Sequence, residues 1–71
     1  MNENVRLLRI RQVCERTGLS RSTVYELVSE HELPKPIQIS TRTVGWVESE
    51  IDGFIRERIA RSRSSGGGRA A

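Results

Sequence analysis

The sequence predicts a mainly α fold, with three short helices and a two-stranded β-hairpin packed into 71 residues. Three observations lead there. Apolar side chains recur at i, i+3, i+4 in three separate stretches, Ile10/Val13/Cys14, Val24/Leu27/Val28 and Ile51/Phe54/Ile55, the spacing of one buried face on a helix. A glycine turn, Thr17-Gly18-Leu19-Ser20, divides the first stretch from the second, so the two helices cross instead of running on as one. Between the second and third lie Ile37-Gln38-Ile39-Ser40 and Thr43-Val44-Gly45-Trp46, β-branched and partly alternating, joined by Thr41 and Arg42.

Taken in order, residues 1–5 are polar apart from Met1 and Val5 and are expected to be loose. Val5, Leu7, Leu8 and Ile10 alternate imperfectly with Arg6 and Arg9, which suits an extended lead-in lying over the core. The first helix then runs from Ile10 to about Thr17. Gly18 takes positive φ without steric penalty, and the Ser20 hydroxyl accepts from the first free amides of the next helix. In that second helix Val24, Leu27 and Val28 face inward. At about 100° per residue, Ser22, Glu26 and Ser29 face outward, with Thr23 and Tyr25 on the flanks and Arg21 in the first turn. A short helix that follows a glycine turn and opens on an arginine and small hydroxyl residues has the makeup of a DNA recognition helix, because a groove demands close approach.

The second helix is expected to end near Glu30 or His31, since Pro34 and Pro36 lack amide hydrogens and push the residues before them out of the α region. Leu33 reads as a plug into the core. Lys35, between the two prolines, sits in a preformed extended segment within reach of a phosphate. The hairpin has a basic tip at Arg42, although neither Thr41 nor Arg42 is the glycine or asparagine that a tight hairpin prefers. A third helix begins near Glu48, with Ile51, Phe54, Ile55 and Ile59 as one apolar face. Glu48, Glu50 and Asp52 at its start and Arg56, Arg58 and Arg61 at its end complement the helix dipole, and Asp52 with Arg56 and Glu57 with Arg61 stand at i, i+4. Gly53 costs this helix about 1 kcal/mol relative to alanine, a cost expected to be offset by another backbone packing close. Residues 61–71, rich in arginine, serine and glycine, are expected to form a disordered tail beyond a folded unit spanning 6–60.

Composition narrows the function. A net charge of +3 is compatible with a polyanion partner without establishing one. The single Cys14 cannot form an internal disulfide, and no apolar run approaches the roughly 20 residues that span a bilayer, so a cytoplasmic protein with no membrane partner is expected. Cys14 reads as a small buried hydrophobe. One histidine, His31, and one cysteine supply neither a zinc site, which wants about four ligands, nor a catalytic constellation. No enzyme activity, metal, cofactor or small-molecule substrate is therefore expected. Trp46 reads as a cap on the core in preference to a stacking platform for single strands.

With the turn, the prolines and the tryptophan in place, the sequence resembles the AlpA family of small phage-type transcriptional regulators, relatives of excisionases and of MerR-like proteins. The resemblance covers about residues 6 to 60. It rests on Arg6-Leu7-Leu8-Arg9, Thr17-Gly18-Leu19-Ser20-Arg21-Ser22-Thr23-Val24-Tyr25, Leu33-Pro34-Lys35-Pro36-Ile37, Arg42-Thr43-Val44-Gly45-Trp46 and Glu48-Ser49-Glu50-Ile51. It implies a small winged helix-turn-helix that binds double-stranded DNA, with the second helix in the major groove and the hairpin as a wing on backbone or minor groove. By matched position, Ser20, Arg21, Ser22, Thr23 and Tyr25 would carry the helix contacts and Arg42 and Thr43 the wing contacts. The chain departs from the family pattern at Glu26, where many members are basic after the position of Tyr25, and at Glu30-His31-Glu32, where a lysine and a glycine are common.

The residues themselves leave several roles open. Arg21 can fork onto guanine, clamp a phosphate or stay solvated, and Glu26 can accept from cytosine N4 or face water. Tyr25 can give its hydroxyl to a phosphate while its ring packs on the core. An excisionase-like architectural factor needs the same fold as a regulator. A protein-interaction adaptor that has lost DNA contact would account for Glu26, Glu30 and Glu32. A domain this small reads few base pairs, so specificity calls for cooperative self-association on repeated sites.

Overall fold

A computed structural model describes residues 5–64 of the chain. In chain order its elements are β1 (Leu7–Leu8), α1 (Ile10–Thr17), α2 (Arg21–Ser29), β2 (Ile37–Ser40), β3 (Thr43–Val47) and α3 (Glu48–Ser64). The three helices fall where the apolar spacing predicts them.

The junction between α1 and α2 is built by local hydrogen bonds. Gly18 adopts φ 78° and its amide donates to the Cys14 carbonyl at 2.8 Å, closing α1 with a left-handed residue. The Thr17 hydroxyl donates back to the Val13 carbonyl at 2.8 Å and accepts from the Leu19 amide at 3.3 Å. The far end of α2 closes by the same logic with different chemistry. The His31 amide donates to the Val28 carbonyl and the Glu32 amide to the Leu27 carbonyl, the paired bonds of a Schellman motif. The left-handed residue of that motif is His31 at φ 63°, a conformation that costs a residue with a Cβ roughly 1–2 kcal/mol. Leu33 follows directly and is buried, as its position before the prolines predicts.

The sheet corrects the expectation of a two-stranded hairpin. It has three antiparallel strands in the order β1-β3-β2, and the lead-in Leu7–Leu8 pairs with β3 in the register Leu7↔Val47 and Leu8↔Trp46. A two-residue strand has no alternation to detect, and its partner lies some forty residues along the chain. The hairpin turn also departs from rule. Gly18 and His31 are the positive-φ residues among the described ones, so Thr41 and Arg42 do not form the mirror-image turn typical of two-residue loops. A bulge at Ile39, between the pairs Gln38↔Val44 and Ser40↔Thr43, takes up the mismatch instead. The Gln38 side chain secures it, its amide donating to the carbonyls of Ser40 at 2.7 Å and Thr41 at 3.2 Å.

Leu8, Val13, Val24, Leu33, Trp46 and Ile51 form the buried core among the described residues, so each of the six elements or connections that cross the middle contributes one side chain. On α3 the apolar face is less covered than its spacing suggests: Ile51 is enclosed, Phe54 and Ile55 are half-buried and Ile59 is 45% exposed. Length explains this. At about 1.5 Å per residue α3 is roughly twice as long as α1 or α2, and its C-terminal half overhangs the core. α3 also continues to Ser64, past the composition change at Ala60, because arginine is a good helix former and no breaker intervenes. The rest of the expected tail, 65–71, and residues 1–4 of the expected loose start lie outside the described residues. Asp52 pairs not with Arg56 but with Arg16 of α1, through Nη2 at 2.8 Å and Nε at 3.2 Å.

Gly45 and Gly53 predict stability changes of opposite sign. A Cβ on Gly45 would stand 2.7 Å from Ile39 Cδ1, which must turn aside, and 3.1 Å from the backbone oxygen of Leu8, so Gly45→Ala asks β1, paired with β3, to give by a few tenths of an ångström. A Cβ on Gly53 would meet nothing within 4 Å, and no backbone packs there. In urea denaturation, Gly45→Ala is expected to lose about 1–3 kcal/mol and Gly53→Ala to gain about 1 kcal/mol.

Candidate nucleic-acid interface

The expected recognition surface is built around α2. Ser20 stands before it in extended conformation, and its Oγ accepts from the Thr23 amide at 3.3 Å. The same oxygen lies 2.9 Å from Thr23 Oγ1, so the Thr23 hydroxyl is engaged in the cap and its side chain is half-buried. Val24 is fully buried, which turns Arg21, Ser22, Tyr25, Glu26 and Ser29 outward on one exposed face. Of the expected helix residues, Ser20, Arg21, Ser22, Tyr25 and Glu26 are exposed; Thr23 sits at the margin.

The hairpin residues lie on a separate projection. Arg42 is exposed in the turn between β2 and β3, Thr43 is half-buried at the first position of β3, and Lys35 is exposed on the connection from α2 to β2. Trp46 holds these parts in one frame. Its ring meets Tyr25 at a centroid distance of 6.2 Å and a tilt of 49°, and its Nε1–H donates to the Pro34 carbonyl at 2.9 Å. The exposed helix face, the Lys35 segment and the hairpin are thereby referred to one buried side chain, as its reading as a core cap requires.

Charge is divided unevenly. Arg6 and Arg16 pair with Glu48, Arg16 also with Asp52, and Arg58 with Glu32. The hydrogen bond to Asp52 raises the Arg16 pKa above its ordinary value, with the attraction of Asp52 and Glu48 adding to it and desolvation opposing. Arg9, Arg11, Arg21, Lys35 and Arg42 make no ion pair among the described residues, nor do Arg56 and Arg63 on α3. Arg9, Arg11 and Arg21 line one open hollow of about 430 Å³ with Ile10 and Gln12. By sequence Arg9 belongs to the lead-in and to the Arg6-Leu7-Leu8-Arg9 block, and Arg11 has no role assigned. The Arg-x-Arg spacing at a helix start is the signal that was present. Cys14 is a free thiol, half-buried, and among the described residues no three His, Cys, Asp or Glu side chains are grouped to hold a metal ion.

The chain is similar to known proteins over most of its length. The family model described as prophage CP4-57 regulatory protein (AlpA) matches residues 6–59. A protein of Enterobacteria phage P4 described as uncharacterized protein ORF88 is 40% identical over 55 residues, 78% of this chain and 62% of its own length. The chain thus spans less than two thirds of that relative. The "DNA-binding transcriptional activator AlpA" of Escherichia coli K12 is 33% identical over 60 residues, 76% of this chain and 86% of that protein. No solved structure matches the chain.

The Ser20 cap yields a stability test. Ser20→Ala removes the acceptor for the Thr23 amide and is expected to lower stability by about 1 kcal/mol in thermal or urea unfolding. Ser20→Asp, which restores an acceptor at the same place, is expected to recover most of that loss.

Proposed function

The chain belongs to the AlpA family of prophage regulatory proteins, and from that premise we propose that it is a sequence-specific double-stranded DNA-binding regulator of phage or mobile-element genes. α2 lies in the major groove and the hairpin rests on the backbone or in the minor groove. The observation that carries the reading is the exposed face of α2, where Arg21, Ser22, Tyr25 and Glu26 stand out from a helix whose opposite side is sealed by Val24. The relative from Escherichia coli, described as a DNA-binding transcriptional activator, supports a regulator ahead of an architectural excision factor, and ahead of an adaptor that has lost DNA contact.

Within this reading the residues divide by task. Ser20 and Thr23 set the start of the helix, and Ser22, small and exposed, lets its backbone approach the base edges. Arg21 reads a base or clamps a phosphate from the first turn, Glu26, further along the same face, meets a cytosine amine or faces water, and Tyr25 gives its hydroxyl to the sugar-phosphate chain from a ring braced on Trp46. Arg42, Thr43 and Lys35 hold the flanking backbone. The protein acts without catalysis, metal or cofactor, in the cytoplasm, and several copies on repeated sites supply the specificity that one small domain lacks.

The test is a titration of a duplex selected from a random pool, followed over a range of salt. Affinity is expected to fall steeply with salt, as counterion release requires. Arg21→Ala is expected to weaken binding by about 1–3 kcal/mol and to relax preference at one position. Arg42→Ala is expected to weaken all duplexes alike and reduce the log–log salt slope by about 0.9. Binding indifferent to salt and to both substitutions would sink the proposal.

A further inference from the structure

Three arginines at the starts of two helices line one hollow beside the exposed face of α2, and none of them makes an ion pair among the described residues. Arg9 immediately precedes α1, Arg11 is in its first turn and Arg21 opens α2, and the three line the same open hollow of about 430 Å³. No carboxylate lines that hollow. Glu15, one turn beyond Arg11 on α1, makes no ion pair with it among the described residues. Gln12, also in the lining, accepts the Arg9 amide through Oε1 at 2.9 Å, which leaves its Nε2 as a further donor there.

Two further hollows have a different character. One of about 510 Å³ beside α3 is lined by Glu32, Glu50 and Glu57, and one of about 260 Å³ mainly by Leu19, Leu27, Phe54, Ile55 and Ile59. Other arginines of the chain are drawn into pairs with acidic partners: Arg6 and Arg16 with Glu48, Arg16 with Asp52, Arg58 with Glu32. Like charges gathered without a counter-charge repel one another and disfavour the folded state unless an anion enters. Arginine presents planar forks that match phosphate oxygens two at a time.

We infer that Arg9, Arg11 and Arg21 form a clamp for a backbone phosphodiester of duplex DNA, on the strand that borders the groove occupied by α2. The inference rests on the DNA-binding reading and adds to it a site on α1, with two residues that the recognition face does not include. Arg9 and Arg11 fix the position of the protein on the duplex and carry no sequence preference. Arg21, shared between the clamp and the helix face, couples backbone grip to groove entry.

The experiment compares the wild-type chain with Arg9→Ala/Arg11→Ala and with Arg21→Ala, each titrated against a pool-selected duplex and its scrambled counterpart between low and moderate salt. The clamp requires the double variant to bind both duplexes more weakly, on the order of tenfold, and by the same factor. Its log–log salt slope should fall by about 1.8, for two lost phosphate contacts. The free double variant should melt no lower than wild type, since repulsion is relieved and both side chains are exposed; Arg9→Gln/Arg11→Gln provides the same readout should the alanine pair melt early. Unchanged affinity and slope in the double variant, with Arg21→Ala still impaired, would overturn the clamp and leave the DNA-binding reading standing. A wild-type chain that binds neither duplex would overturn both.

Discussion

One side chain, Trp46, sets the geometry on which the other elements depend. It lies on β3, the central strand, opposite Leu8 of β1, and is wholly enclosed. Its indole nitrogen fixes the Pro34 carbonyl and its ring braces Tyr25, so the sheet, the connection after α2 and α2 itself are referred to one rigid body. A chain of this size buries only about 60% of its unfolded surface, so no second core exists to compensate for a loss. Removing a buried aromatic costs about 3–5 kcal/mol, against a total stability of roughly 0.05–0.15 kcal/mol per residue. Gly45, immediately before it, belongs to the same constraint, because the Leu8 carbonyl of β1 packs tightly against the place where its Cβ would stand.

Ion pairs do a different job. Pairs such as Arg16–Asp52 and Arg58–Glu32 are partly exposed, and pairs of that kind contribute about 0–1 kcal/mol each. Packing therefore decides whether the chain folds, and the pairs decide where its charge is left over. Arg6, Arg16 and Arg58 are matched with carboxylates, whereas the arginines at the starts of α1 and α2 and at the hairpin tip, like Arg56 and Arg63 on α3, make no ion pair among the described residues. Of the unpaired cations, Arg9, Arg11 and Arg21 stand together at the starts of α1 and α2, beside the proposed recognition helix, a grouping that composition alone could not reveal.

What the sequence discloses and what it hides follow from how local each signal is. Val24, Leu27 and Val28 at i, i+3, i+4 locate α2, and Gly18 and Ser20 give its start, because caps and helix faces are set within a few residues. The extended lead-in over Leu7–Leu8 is legible, but its pairing as β1 stays hidden because two residues show no period and their partner is remote. The Thr41–Arg42 turn looks wrong by its own residues because its support comes from the Gln38 side chain and a bulge. Asp52 has a plausible local partner in Arg56, but Arg16 offers a two-nitrogen contact from another helix, and tertiary geometry overrides the i, i+4 preference. The candidate site divides in the same way. The exposed face of α2 is legible from periodicity; the engagement of the Thr23 hydroxyl with Ser20, and the convergence of Arg9 and Arg11 on Arg21, appear only when helices are placed in space.

The charge along α2 bears on how that helix would enter a groove. Its first turn has Arg21 with Arg9 and Arg11 beside it, at the end where the helix dipole is positive. Toward its other end stand Glu26 and Glu30, where the dipole is negative, and no basic residue occupies the last turn. Dipole and side chains therefore have the same sign at each end, an arrangement that costs stability at both, where helices usually place the opposite charge. His31 adds to that cost by holding a left-handed conformation that glycine would take freely. Local rules broken together on one element are expected where function overrides stability. Here the conflict has a direction: phosphates attract the start of α2 and repel its end, so under the proposed reading the helix enters the groove N-terminus first, with Arg21 and Ser22 nearest the bases and Glu26 further out along its axis.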